Sequence, residues 1–150
     1  MRTNLWLREQ LNKFSIENFP EINPGVDVRI SFGRKGRQRL GSIKREVIEP
    51  GLKMGRIVIR PIKYSNLSII TISGYFRDTL IPDYVVNATI AHELVHYVHG
   101  FSSPMPRLYK TPHKGKVVQR ELIKRGLGDI HYDSERWLRK EWPKYLVEHR

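Results

Sequence analysis

The chain contains no cysteine. That excludes disulfides, a cysteine nucleophile, and any zinc finger or ribbon built on thiolates. A metal held here must be held by His, Asp or Glu. Long apolar runs are also missing. No stretch approaches the roughly 18 apolar residues of a membrane span, so no membrane partner is expected. The N-terminus, Met1-Arg2-Thr3-Asn4-Leu5-Trp6, lacks the apolar block of a signal peptide, and the expected location is the cytoplasm. Acidic residues are scarce beside basic ones: 15 Asp+Glu against 27 Lys+Arg, net charge +12. That balance favours anionic partners, nucleic acid first. A solubilising surface without a partner is the plainer reading of the same charge.

What is present suffices for one domain over residues 1–150. Hydrophobic residues make up 39%, enough for a single core. Leu7, Leu11 and Phe14 recur at helical spacing and predict a helix over residues 3–19. Residues 26–32 alternate apolar and polar as a half-buried strand does. Residues 40–49 carry a weaker strand pattern, and Pro50-Gly51 marks a turn. Residues 56–60 and 68–73 read as further strands. A helix of about 17 residues is expected from Pro82 to Gly100. Its stripe Val86, Ile90, Leu94 and Val98 faces inward. Residues 101–112, with three prolines, form a loop. Another helix runs from His113 to Lys124. The tail from Ser134 is expected as two short helical pieces divided at Pro143.

The most informative string lies on the Pro82 helix: His92-Glu93-Leu94-Val95-His96, of the form H-E-x-x-H. Positions i and i+4 project from one helix face, so two imidazoles can grip one metal ion. The glutamate beside the first can reach a water on that metal. The expected stripe leaves the histidines on a functional front, roughly opposite the apolar residues of a buried back. The plainer reading is an exposed helix that happens to carry His and Glu.

A catalytic zinc needs a third protein ligand. His99 lies about 10 Å along the axis from His92, too far to share one ion comfortably. It reads instead as a partly exposed helix-end residue or a contact to substrate or nucleic acid. Position 99 is also the wrong residue for the longer metzincin motif. His113 follows a loop that can fold back. Glu121 is the alternative used by gluzincins, and its plainer role is a salt bridge with Arg125. His113 and Glu121 stand about 12 Å apart on a regular helix, so they cannot bind one ion together. His131, in a Gly/Asp-rich turn, ranks below both.

Ile69-Ile70-Thr71-Ile72-Ser73, Ile81-Pro82-Asp83, Ala91-His92-Glu93-Leu94-Val95-His96 and Pro112-His113-Lys114-Gly115-Lys116 together resemble the SprT-like zinc metallopeptidases. That family includes proteases acting on proteins crosslinked to DNA. The resemblance covers about residues 26–126 and leaves residues 127–150 as a C-terminal helical extension. It implies an α+β, zincin-like domain and one zinc ion held by His92, His96 and His113. It also implies Glu93 as the general base, with a protein or peptide substrate. Two features depart from the family pattern. Val117 stands where an aromatic residue is usual, and the cysteine ribbon of many members is absent.

Further expectations concern binding. The strand at 68–72 offers an unpaired edge for an extended peptide, or is an ordinary core strand. Tyr109 and His99 are the candidate oxyanion stabilisers. Arg34, Lys35, Arg37, Arg39, Lys44 and Arg45, without an intervening acid, form a flexible cationic loop suited to phosphate contacts. Trp137 and Trp142 read as anchors of a terminal helix, with base stacking as the functional alternative. Two other readings accompany the peptidase: a nucleic-acid-binding module with an inactive zincin core, and a minigluzincin-like peptidase using Glu121.

Overall fold

The computed structural model describes residues 1–149. Helix α1 (Asn4–Glu17) starts at Thr3, whose hydroxyl accepts the Trp6 amide at 3.2 Å, a conventional N-cap. Leu7, Leu11 and Phe14 are buried, as their spacing requires. Five strands follow: β1 (Val28–Phe32), β2 (Gly41–Glu49), β3 (Leu52–Met54), β4 (Ile57–Arg60) and β5 (Lys63–Ile72). The ambiguous stretch 40–49 is thus a full strand. It falls partly outside the core, so its apolar alternation is weak.

The sheet order is β1-β5-β2, with β5 parallel to β1 and antiparallel to β2. This corrects the expectation of an open edge at 68–72. Both sides of that segment are occupied: Ile70 pairs with Ile30 on one side and Ile43 on the other. Ser68, Ile70 and Ile72 of β5 are buried on one face, with Ile69 and Thr71 half-buried on the other. The sheet's edges are β1 and β2. Strands β3 and β4 form a separate two-stranded ribbon.

Helix α2 (Asp83–Val98) carries the H-E-x-x-H string, with Pro82 immediately before it. The expected stripe is buried, but so are Val85, Ala88, Ala91 and Val95. The helix is therefore enclosed well beyond the stripe, while Thr89 and His92 stay half-buried. It runs through the middle of the molecule, between the sheet on one side and α3 (Val117–Lys124) and α4 (Gly128–Lys140) on the other. Two boundaries differ from expectation. α3 begins after a 3-10 turn (Lys114–Lys116) in which Gly115 and Lys116 have φ of 77° and 56°. α4 begins at Gly128, so His131 is helical rather than part of a turn.

Pro143 sits in the first turn of α5 (Trp142–Glu148), dividing the tail as expected. Trp142 is buried and its Nε1 donates to the Arg37 carbonyl at 3.1 Å. The Tyr145 hydroxyl donates to Asp78 Oδ2 at 2.7 Å. One apolar cluster runs from Leu7 to Tyr145, so the terminal helices share the core of the resembling segment. Both tryptophans anchor the tail, Trp142 buried and Trp137 packed at the cluster's margin. Among the described residues, no helix is long and apolar enough to cross a membrane.

Candidate metal centre

His92 and His96 are one turn apart on α2, and His113 reaches them from the far side of the 101–112 loop. The loop's path is set locally. Gly100 has φ +83°, and any Cβ there would collide with the Pro106 carbonyl; only glycine lets the chain fold back so closely. Ser103 Oγ then donates to the Tyr97 carbonyl at 2.6 Å, and Leu108 N–H to the His99 carbonyl at 3.0 Å. Ser68 Oγ holds the Ser102 carbonyl at 2.7 Å, tying the loop to β5. His113 is delivered to the α2 histidines by these bonds.

The three Nε2 atoms form a small triangle. His92–His96 and His96–His113 are 3.0 Å apart, and His92–His113 is 3.3 Å. A tetrahedral zinc with bonds of about 2.0–2.1 Å separates its nitrogens by about 3.3 Å. Three imidazoles converging at that spacing fit a zinc-type cation, with one tetrahedral position left over. In one respect the site departs from common practice. Ligating imidazoles usually donate their second nitrogen to a partner, whereas His96 Nδ1 is buried without one among the described residues.

Burial sets the protonation states. It pushes His92 down to about 4 and His96 to about 3, with the neighbouring histidines adding to the effect. Both stay neutral at ordinary pH, as metal ligation requires. Burial pushes Glu93 the other way, up to about 7, with Arg39 partly offsetting it. A carboxyl poised near neutrality is suited to moving protons.

Glu93 lies at the bottom of a cleft of about 260 Å³. One wall is Arg39, Leu40 and Gly41 at the start of β2. The other is α4, through His131, Ser134, Glu135 and Leu138. Gly41 is forced by contact: a Cβ there would stand 2.8 Å from Thr89 Cγ2 and 3.2 Å from Glu93 Oε1. Sequence reasoning missed Gly41 and the α4 wall. They come from elements distant in the chain, and no periodicity links them to the motif.

Several expectations are corrected. His99 is fully buried, not exposed at the helix end, because the returning loop covers it. Its Nε2 bonds Glu121 Oε1 at 3.0 Å, and Glu121 Oε2 accepts from Arg125 Nε at 3.0 Å. The carboxylate proposed as a gluzincin ligand is thus committed to a half-buried ion pair. Burial raises its pKa, but the bonds from His99 and Arg125 outweigh that and hold it below the usual carboxylate range. Tyr109 packs its ring edge on His99 at 4.8 Å, and neither residue lines the cleft. His131, ranked last as a ligand, stands in the cleft wall.

The six basic residues do not form one flexible loop. Ser73 Oγ holds the Gly36 carbonyl at 2.7 Å and Gly74 N–H the Arg34 carbonyl at 2.8 Å, fastening residues 34–37 to the core. Lys35 lies over the Tyr75 ring at 5.5 Å. Arg39 belongs to the cleft. Lys44 and Arg45 are on β2, where the Arg45 guanidinium donates to the Ser65 carbonyl at 2.9 and 3.1 Å. No family model, curated protein or solved structure matches the chain.

Proposed function

We propose that the chain is a zinc-dependent metalloendopeptidase with a zincin-like fold, related to the SprT-like group it resembles. The observation that carries this reading is the Nε2 triangle of His92, His96 and His113, with the Glu93 carboxyl buried in the adjoining cleft. A structural site would need the histidines but not the glutamate.

The three imidazoles would hold one zinc ion, which when bound supplies Lewis acidity to a scissile carbonyl and to the attacking water. Glu93 accepts the proton of that water and later delivers it to the leaving amine. Its half-neutral state at pH 7 suits both directions of transfer. The β2 start and α4 confine the peptide between two walls and limit the solvent around Glu93. The positive charge of Arg39 favours the ionised form of this carboxyl. The substrates we propose are proteins bound to nucleic acid, a reading supported by the net charge of +12.

The test is Glu93→Gln in the zinc-loaded protein. Zinc should be retained while peptide hydrolysis falls by about 10²–10⁴-fold. Retained hydrolysis would remove Glu93 from the role of base, and its absence in the wild type would remove the reading altogether.

A further inference from the structure

The strand that begins at the metal cleft ends in an arm. β2 runs about 26 Å from Gly41 to Glu49 at the usual rise per residue. β1 pairs with β5 only from Ser68 onward, so beyond that point β2 and β5 continue as a two-stranded ribbon. Pro50 and Pro61 mark a joint, after which β3 and β4 carry the ribbon to a turn at Gly55, φ +58°. Every residue from 47 to 64 is exposed. Leu52, Met54, Ile57 and Arg60 share one face of the outer ribbon, and Lys53 and Val58 the other, by their pairing. Neither face is covered.

An isolated two-stranded hairpin is marginal in water, and exposed aliphatic residues on both faces call for an occupant that surrounds it. The charge says which kind. Between residues 50 and 66 stand Lys53, Arg56, Arg60 and Lys63 and no carboxylate. A second copy's arm would set cations against cations. A bilayer would demand apolar residues at the leading end, yet Lys53 and Arg56 flank the tip. The groove of a nucleic-acid duplex meets both conditions. Its phosphate walls pair the cations of the outer ribbon, and a groove about 12 Å wide admits two antiparallel strands. Apolar side chains there meet the thymine methyl groups on the base edges.

We propose that the β3–β4 arm is a docking element for duplex nucleic acid, entering a groove with Lys53, Arg56 and Arg60 on phosphates and Met54 and Ile57 toward the bases. The proposal rests on the arm's geometry and charge and does not depend on the peptidase reading. It sets the nucleic-acid contact on the arm instead of on the 34–45 segment, whose loop is fastened to the core.

Binding of a short fluorescent DNA duplex is measured by anisotropy across a salt series for wild type and variants. Each phosphate contact contributes about −0.9 to the slope of log K against log salt. Replacing Lys53, Arg56 and Arg60 by Ala should therefore take roughly 2.7 out of the slope. Met54→Ser with Ile57→Ser should weaken binding at unchanged slope. Zinc content and thermal midpoint report folding, and both should stay at wild-type values because no arm residue is buried. A triple variant with wild-type slope and affinity overturns the proposal. So does arm-dependent sedimentation with phosphatidylserine vesicles, or an arm-dependent dimer, in a protein that leaves the duplex unbound.

Discussion

His96 Nε2 and His113 Nε2 stand 3.0 Å apart across 17 residues of chain. The contact exists because the intervening loop is bonded at both its α2 and its β5 contacts. It makes His113, not Glu121, the third member of the site. His113→Ala should weaken zinc binding by more than the about 10–100-fold typical of losing an outer partner, measured by competition with a chelator. Glu121→Ala should leave zinc stoichiometry unchanged. The reverse pattern would restore the gluzincin assignment.

Glu121 has a structural consequence instead. It bridges buried His99 to Arg125, which also pairs with Glu21. Removing the carboxylate leaves a buried imidazole without its partner, and Glu121→Ala should cost about 1–3 kcal/mol in denaturant unfolding. A variant as stable as wild type would show that the pair contributes nothing net.

Glu93 predicts a pH signature in the metal-free protein. Its folded pKa, about 7, lies above the model carboxyl value of 4.5 because burial disfavours the charged form. Folding is therefore unpenalised by this group below the unfolded pKa and is progressively penalised as pH rises from there through 7. Glu93→Gln should stabilise the metal-free protein by about 3 kcal/mol at pH 8 and leave it nearly unchanged at pH 4. Equal effects at both pH values would refute the buried-carboxyl explanation.

Gly41 tests the cleft wall. A methyl group there meets Thr89 and Glu93 at 2.8 and 3.2 Å. Gly41→Ala should cost about 1–3 kcal/mol through overpacking and lower kcat/KM of the proposed peptidase at unchanged zinc content. Wild-type activity and midpoint would mean that the wall yields freely.

Arg2 controls the entry to α2. Buried, it donates to the carbonyls of Phe76, Asp78 and Ile81, in the segment between β5 and α2, at 3.1, 2.8 and 2.5 Å and pairs with Asp83. Arg2→Ala should destabilise the fold by about 2–3 kcal/mol, because buried carbonyls lose their charged donor. Urea midpoints at matched slope measure it.

What was legible in the sequence was local. The period of Leu7, Leu11 and Phe14 placed α1, the alternation of 26–32 placed β1, and Pro82 and Gly100 bounded α2. The H-E-x-x-H spacing put two imidazoles and a carboxyl on one helix, because the i to i+4 relation follows from helix geometry alone. The composition excluded thiolate chemistry outright. Tertiary structure decided everything that depends on which distant segments meet. Periodicity marked one buried stripe on α2 but carried no information about the second layer, so the further burial and the α4 wall were invisible. It could not distinguish a central strand from an edge, because β5 is centred by partners on both sides. His113 was a choice among candidates until loop hydrogen bonds brought its Nε2 to His96. His99 was read as partly exposed because what meets it, the returning loop and Glu121 22 positions away, is set by tertiary packing. Chain-local patterns specify which face a residue occupies, and only the packed chain specifies what that face meets.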